Sequence, residues 1–150
     1  MITFNQINIA INEKIKKAIK DVFEYDVPLV AEDISEPIIR PSIKVIFENS
    51  NSAKFNEQCK ERNISYSVYF FAKNRQKPKS ENIAIREAIE NEFINDLQVT
   101  DTFFIPIDNL EFETSDGVLI ASFDLYTIEI LPVTNISEIM EEINFKIYNF

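Results

Sequence analysis

Carboxylates are the side chains with the greatest capacity for chemistry in this sequence, since 25 of its 150 residues are Asp or Glu. A pair of carboxylates can serve as general acid and general base in catalysis. These carboxylates cluster on segments of helical or alternating periodicity, where outward positions are polar in any fold. We therefore interpret the clusters as solvated surface and predict no catalytic residue. The clusters are Glu87, Glu90 and Glu92, then Asp108, Glu111 and Glu113, then Glu138, Glu141 and Glu142.

Other residue types that support catalysis or ligand binding are scarce. The chain has no histidine and no tryptophan, one cysteine and one glycine. A zinc site is not expected without histidine or paired cysteines, and no carboxylate spacing fits a calcium loop. We predict no metal and no cofactor. We interpret Cys59 as a half-buried strand residue in a reducing compartment, because no histidine is available to activate its thiol.

The overall charge is strongly acidic. Fifteen basic residues against 25 acidic ones give a formal net charge of −10. Such a charge disfavours non-specific binding to nucleic acid or to anionic membranes. No apolar run approaches the length of about 18 residues that a membrane span needs, so we expect no membrane association.

One segment runs against this acidic background. It carries Lys73, Arg75, Lys77 and Lys79 within seven residues. A basic loop can simply be solvated. In an acidic protein that self-assembles, it can instead face the acidic surface of a neighbour and orient the contact between subunits. The sequence leaves both interpretations open.

Two amphipathic helices are predicted. The first begins near Thr3, because Thr3 and Gln6 have the spacing of a capping box and the apolar residues that follow share one helical face. The second is predicted to begin at Ser80, as its N-cap, and to carry Ile85, Ile89 and Phe93 on its buried face.

Alternating segments predict the strands. Residues 29–32 and 42–48 form the first two, the polar residues 48–52 predict a turn, and residues 54–60 predict a weaker strand. Residues 64–72 have apolar side chains on both faces, which places this strand centrally in a sheet.

A long hairpin is predicted near the C-terminal end. Residues 103–113 and 118–131 alternate on either side of Asp116-Gly117, and Asp-Gly favours a two-residue hairpin turn. Pairing across this turn places four residues in the core: Phe112 opposite Ala121, and Leu110 opposite Phe123.

The chain ends in a further apolar alternation after a short helix capped by Ser137. Four residues of that alternation are candidate interface residues, because a terminal strand either completes its own sheet or extends the sheet of a neighbour. They are Phe145, Ile147, Tyr148 and Phe150.

Together these elements predict one domain over residues 1–150. Its class is α+β, with a single mainly antiparallel β-sheet, an N-terminal helix and a second helix packed on it, and a long C-terminal β-hairpin.

The pattern resembles a known family. The N-terminal helix, the segments 27–30 and 62–71, the second helix, the hairpin at 116–119 and the ending at 140–147 look like the phage tail terminator proteins of low-GC Gram-positive phages and prophages. The resemblance covers nearly the whole chain, and it rests on the order of strands and turns because the family has no catalytic signature.

The resemblance implies a non-enzymatic virion protein, assembled in the bacterial host cytoplasm. Such proteins form a ring, usually a hexamer, at the head-proximal end of the tail tube, where they stop polymerisation and dock the neck. Related proteins occur in contractile bacteriocin particles. The implied partners are other copies of the chain, the tail tube protein, a neck or connector protein and, in contractile tails, the sheath protein, with DNA only passing through the lumen.

Two other functions fit the residues. One is a neck or tail-completion protein that joins the head connector to the tail. The other is a monomeric cytoplasmic module that binds a protein or peptide through the hairpin and the basic loop.

Overall fold

The computed structural model describes residues 1–30 and 38–133. Two helices and seven strands follow one another within these residues. In chain order they are α1 (Phe4–Ile19), β1 (Leu29–Val30), β2 (Ser42–Lys54), β3 (Cys59–Phe71), α2 (Lys79–Phe93), β4 (Leu97–Gln98), β5 (Phe104–Ile105), β6 (Ile107–Ser115) and β7 (Val118–Ile130). The predicted helix after Ser137 and the terminal strand lie outside the described residues.

The strands form a five-stranded sheet in the order β1-β2-β3-β7-β6, with β4 and β5 in a separate two-stranded sheet. Every pairing in the larger sheet is antiparallel except that of β1 with β2. The α+β class and the central position of β3 are therefore confirmed. That residues 1–150 form one domain stays a prediction.

Both helices contribute buried residues to the core. Thr3 and Gln6 form the predicted capping box at the start of α1, where the Gln6 N–H donates to the Thr3 hydroxyl over 3.2 Å and the Thr3 N–H donates to Gln6 Oε1 over 2.9 Å. Ile85 and Ile89 of α2 are fully buried. The side chains of β3 and β7 that face the helices alternate with those of the opposite face, over which no described helix packs and which we call the open face.

The predicted turn at residues 48–52 is wrong. β2 continues to Lys54, and the turn lies at residues 55–58, where Asn56 Oδ1 accepts a hydrogen bond of 2.8 Å from the Gln58 N–H. Pairing with β3 holds the polar residues extended, and a bulge at Glu48, between Phe47 and Asn49, absorbs one residue. Residues 54–60 therefore contain the last residue of β2, the turn and the first residues of β3, and they do not form a separate strand.

The predicted strand at 103–113 is divided. Pro106 separates β5 from β6, since proline has no N–H to donate to a ladder. β6 also contains a bulge, in which Asn109 has a φ of 53°. Phe112 pairs with Ala121 as predicted, but Leu110 lies in the bulge. Ala121 and Phe123 are buried, whereas Leu110 and Phe112 are half-buried against the core.

The Asp116-Gly117 hairpin is confirmed. Both residues have positive φ, 49° and 78°, as a type I′ turn requires. The turn packs against the start of α2, where Asn82 Nδ2 donates to the Gly117 carbonyl over 3.0 Å. A Cβ at position 117 would lie 3.1 Å from Pro78 Cγ, so a side chain here would crowd Pro78 as well as require positive φ.

Candidate interaction surfaces

The basic loop, residues 73–79, lies at the end of the sheet beside the hairpin turn. Lys73, Arg75 and Lys77 follow β3, and Lys79 is the first residue of α2. All four side chains are exposed, so the structure brings these sequence-predicted residues together on one surface.

Hydrogen bonds to Glu81 of α2 and to Asn74 fix the loop backbone. The Glu81 carboxylate accepts from the N–H groups of Lys73 and Asn74 over 3.0 and 3.1 Å. Asn74 Oδ1 in turn accepts from the N–H groups of Gln76 and Lys77 over 3.1 and 3.2 Å. The prediction that Ser80 caps α2 is wrong, since Pro78 occupies the N-cap position without a side-chain bond. The Glu81 carboxylate instead ties the first turn of α2 to the loop that precedes it.

Tyr25 also binds the Glu81 carboxylate. Its hydroxyl donates to Glu81 Oε1 over 2.5 Å, and the Lys73 ammonium lies 4.5 Å from the centre of its ring. Partial burial, the hydrogen bond and the charge of Glu81 raise the pKa of Tyr25 to about 12. Partial burial opposes ionisation of Glu81, but the bonds from Tyr25, Asn74 and Lys73 outweigh it and lower the pKa of Glu81. The loop is thus held by an ionised carboxylate at neutral pH.

Arg40 adds a further positive charge near the basic loop. Its Nη1 donates to the Ala72 carbonyl over 3.1 Å, and its guanidinium lies 5.8 Å from the centre of the Phe71 ring. Ala72 directly precedes the loop, so five cations are gathered at this end of an acidic protein.

The open face of the sheet has the opposite charge along β6 and β7. Asp124 of β7 accepts hydrogen bonds from the Ser65 hydroxyl (2.6 Å) and from Asn109 Nδ2 (3.0 Å). Asp108, its partner in β6, is exposed, as are Glu111 and Glu113 further along β6. We call Asp108, Glu111, Glu113 and Asp124 the acidic face. No helix among the described residues packs over it.

Within residues 1–30 and 38–133, no group of three or more His, Cys, Asp or Glu side chains could hold a metal ion. Glu92 of the first cluster instead forms ion pairs with Lys14 and Lys17 of α1, at 3.6 and 3.3 Å, and so joins the two helices.

Among the described strands, few residues pair with the outer edge of β2. β1 pairs only with Ile43 and Lys44, and no other described strand pairs with this side of β2. We call residues 46–54 the open edge. Phe47, at 38% exposed, contacts Phe4, at 42% exposed, with ring centres 5.5 Å apart. An aromatic pair therefore flanks the open edge on the helix side.

A buried ion pair near the β2–β3 turn was missed by the sequence reasoning. Arg62 of β3 and Glu129 of β7 pair with side-chain exposures of 4% and 7%. Glu129 also accepts from the Ile2 N–H over 2.7 Å, and Arg62 donates to the Ile2 carbonyl over 2.7 Å. A signal was present, because two opposite charges occupy inward positions of alternating strands, where apolar residues are the rule.

The other predicted interface residues lie outside the described residues. They are Phe145, Ile147, Tyr148 and Phe150. Among the helices of the described chain, none is long and apolar enough to cross a membrane.

Comparison with known proteins gives one family and one fold. The family model described as phage tail terminator protein matches residues 6–137. A comparison with curated proteins finds no match. Among the solved structures that match is a cryo-EM structure described as the sheath/tube terminator, in its extended state, of the extracellular contractile injection system PVC. It is 11% identical, with a TM-score of 0.55, and the alignment covers 96% of this chain and 65% of that one. The chain thus corresponds to about two thirds of that longer protein.

Proposed function

Because the chain belongs to the phage tail terminator family, we propose that it is a structural protein that ends the tube of a phage tail or of a tail-like contractile particle. The observation that carries the proposal is the family match over residues 6–137, and the fold shared with a sheath/tube terminator supports it. A protein of this kind acts through its surfaces, which agrees with the non-enzymatic interpretation of its carboxylates.

The proposal includes a ring of identical subunits, a hexamer as the family resemblance implies. In a heterologous interface, two different surfaces of the subunit meet, and a ring forms when the rotation between neighbours closes. The basic loop and the acidic face are two different surfaces of opposite charge. Contact between the loop of one subunit and the acidic face of the next would repeat around a ring and leave no free lateral end.

The ring is proposed to sit at the head-proximal end of the tail tube. There it would stop tube polymerisation, dock the neck or connector protein and, in a contractile tail, meet the last ring of sheath protein. The net charge of −10 suits a conduit, because acidic walls repel DNA and leave it mobile in the lumen.

The experiment is to mix the purified protein with its tail tube protein, and to follow particle mass by light scattering and tube ends by negative-stain electron microscopy. We expect rings on tube ends and tubes that stop growing. A monomer that leaves tube length unchanged would overturn the proposal and favour a monomeric binding module.

A charge-reversal variant tests the contact between subunits. Changing Arg75, Lys77 and Lys79 to Glu should reduce the particle to monomers, while Lys73 is left in place because it contacts Tyr25. The matched control changes three exposed lysines of α1 and the residue after it to Glu, for the same change in net charge: Lys16, Lys17 and Lys20. An equal loss of rings in both variants would show that total charge matters and the loop does not.

A second set of changes tests the partner of the loop. Changing Asp108, Glu111 and Glu113 to Lys in the loop variant should restore rings, because the charges of the two surfaces are then exchanged. If this combined variant stays monomeric while the loop variant is folded, the acidic face is not the partner of the loop.

A further inference from the structure

We propose that the open edge of β2 receives residues 144–150 of a neighbouring copy as an added β-strand. The inference rests on the proposed ring, and it names a contact additional to the one between the basic loop and the acidic face. A strand exchanged in this way would link each subunit to the next through backbone hydrogen bonds.

The open edge presents backbone groups without a partner strand in the described chain. β2 pairs with β3 on its inner side through Lys54, while β1 covers its outer side only at Ile43 and Lys44. Every residue from Phe47 to Lys54 is exposed. A row of unpaired N–H and C=O groups of this length is a template for another strand.

The sequence of the open edge gives little protection against pairing. Proteins guard such edges with lysine, proline, bulges or very short strands. Residues 46–54 contain no proline, and their only charges are Glu48 and Lys54. The bulge at Glu48 interrupts the strand, but the ladder with β3 continues in register from Asn49 to Lys54. This part is long enough to pair with most of a seven-residue strand.

Side chains beside the open edge favour an apolar occupant. The exposed Phe4–Phe47 pair forms an apolar patch at the open edge, on the helix side of the sheet. Residues 144–150 read Asn-Phe-Lys-Ile-Tyr-Asn-Phe, in which alternate positions are Phe145 and Ile147 on one side and Tyr148 and Phe150 on the other. Either orientation of this strand would place apolar side chains against the Phe4–Phe47 pair.

The path of the chain also favours this occupant. β7 ends beside the β2–β3 turn, where the Leu131 N–H donates to the Gln58 carbonyl over 2.7 Å. Residues 134–143 follow, and ten residues span up to about 33 Å when extended. Residues 144–150 are therefore tethered within about 33 Å of the end of the described chain, and a neighbour whose open edge lies within that distance can receive them.

Disulfide trapping tests the inference. Cys59 is the only cysteine, so a Cys59→Ser background has no native thiol. We would combine Ile147→Cys with Asn49→Cys, Ser50→Cys or Asn51→Cys in three variants, since the register is open. The control pairs Ile147→Cys with Ser115→Cys, an exposed residue at the opposite end of the sheet.

The expected result is a ladder of disulfide-linked multimers on a non-reducing gel for at least one edge variant. Linking should be about tenfold more efficient than in the control, because a bound strand holds the two thiols at high effective concentration. A disulfide within one chain, identified by its tryptic peptides, would overturn exchange between copies, and linking no greater than in the control would overturn the site.

Deletion of residues 144–150 gives an independent result. We expect a protein that keeps its circular dichroism spectrum and loses ring mass, whereas loss of folding would show that the segment belongs to its own subunit. Rings that still end tubes but form no ladder would overturn the strand exchange and leave the terminator proposal intact. A ladder without control of tube length would do the reverse.

Discussion

The two ends of the five-stranded sheet are built in different ways. At the end that carries the basic loop, side chains bind the backbone of two connections: Glu81 and Asn74 hold the loop, and Asn82 holds the hairpin turn. At the other end, a buried ion pair joins β3 and β7 on the face toward the helices, while β2 continues to Lys54 with the residues of both faces exposed.

The difference indicates two kinds of contact. A loop whose backbone is fixed presents its charges in one arrangement and loses little conformational freedom when it docks. An edge strand with free backbone groups can accept a partner by pairing, which depends less on particular side chains. One end is therefore suited to orienting a neighbour and the other to joining it.

The largest expected effect concerns the buried ion pair. Changing Glu129 to Ala leaves the Arg62 guanidinium buried without its anion, which should lower the free energy of unfolding by about 3–5 kcal/mol. Urea unfolding followed by circular dichroism measures it. The control, Glu57→Ala, breaks the exposed pair with Lys54 and should cost at most about 1 kcal/mol. Similar losses in both variants would mean that the buried ion pair of Arg62 and Glu129 does not stabilise this end of the sheet.

An intermediate effect is expected at the hairpin turn. Gly117→Ala forces a side chain into positive φ and against Pro78, and should destabilise the protein by about 1–3 kcal/mol in thermal unfolding. Adding Pro78→Ala should recover only the part due to crowding. Asp116→Gly is the matched control, since it relieves a positive φ in the same turn and should leave stability unchanged or slightly higher. A tolerated Gly117→Ala would show that the turn adapts.

A smaller and pH-dependent effect is expected at Glu81. Its lowered pKa in the folded state means that its contribution is present above the ordinary pKa of glutamate and is lost as the pH falls through the folded value. Glu81→Gln should therefore cost about 1 kcal/mol near neutral pH, and the difference from the unchanged protein should shrink in acid. Urea midpoints measured across that range test this, and a constant difference would contradict it.

The smallest effect is expected at Tyr25. Because its folded pKa is raised to about 12, its contribution is complete below the ordinary tyrosine pKa and is lost as the pH rises toward about 12. Ultraviolet titration of the phenols should show a late-ionising group that is missing from Tyr25→Phe. If the two titration curves coincide at high pH, the bond to Glu81 is not maintained in solution.

Periodicity and turn chemistry predicted most of the fold. Alternation identified β3 as central, Thr3 and Gln6 marked the start of α1, and Asp116-Gly117 located the hairpin. The prediction failed where local preference and tertiary pairing disagree. Asn and Ser favour turns in isolation, yet the pairing of β2 with β3 holds residues 49–54 extended, and the turn forms a few residues later.

The candidate surfaces were only partly accessible to sequence reasoning. The cluster of cations at residues 73–79 is visible in the sequence, but its anchoring depends on Tyr25, which lies about fifty residues away in the chain and has no local signal. The pairing of Arg62 with Glu129 likewise needs the register of two strands. Contacts of this kind require the fold, because the residues meet only when distant strands are aligned.

The bulge in β2 has a consequence for genetic variation. Glu48 is an extra residue between Phe47 and Asn49, whose partners Tyr66 and Ser65 are consecutive in β3. An in-frame deletion of the Glu48 codon would leave all other pairs of the hairpin in register. A deletion of the Ser67 codon, in contrast, would move half of the central strand to the wrong face. Length variants among natural relatives should therefore be found at the bulge and be rare in β3.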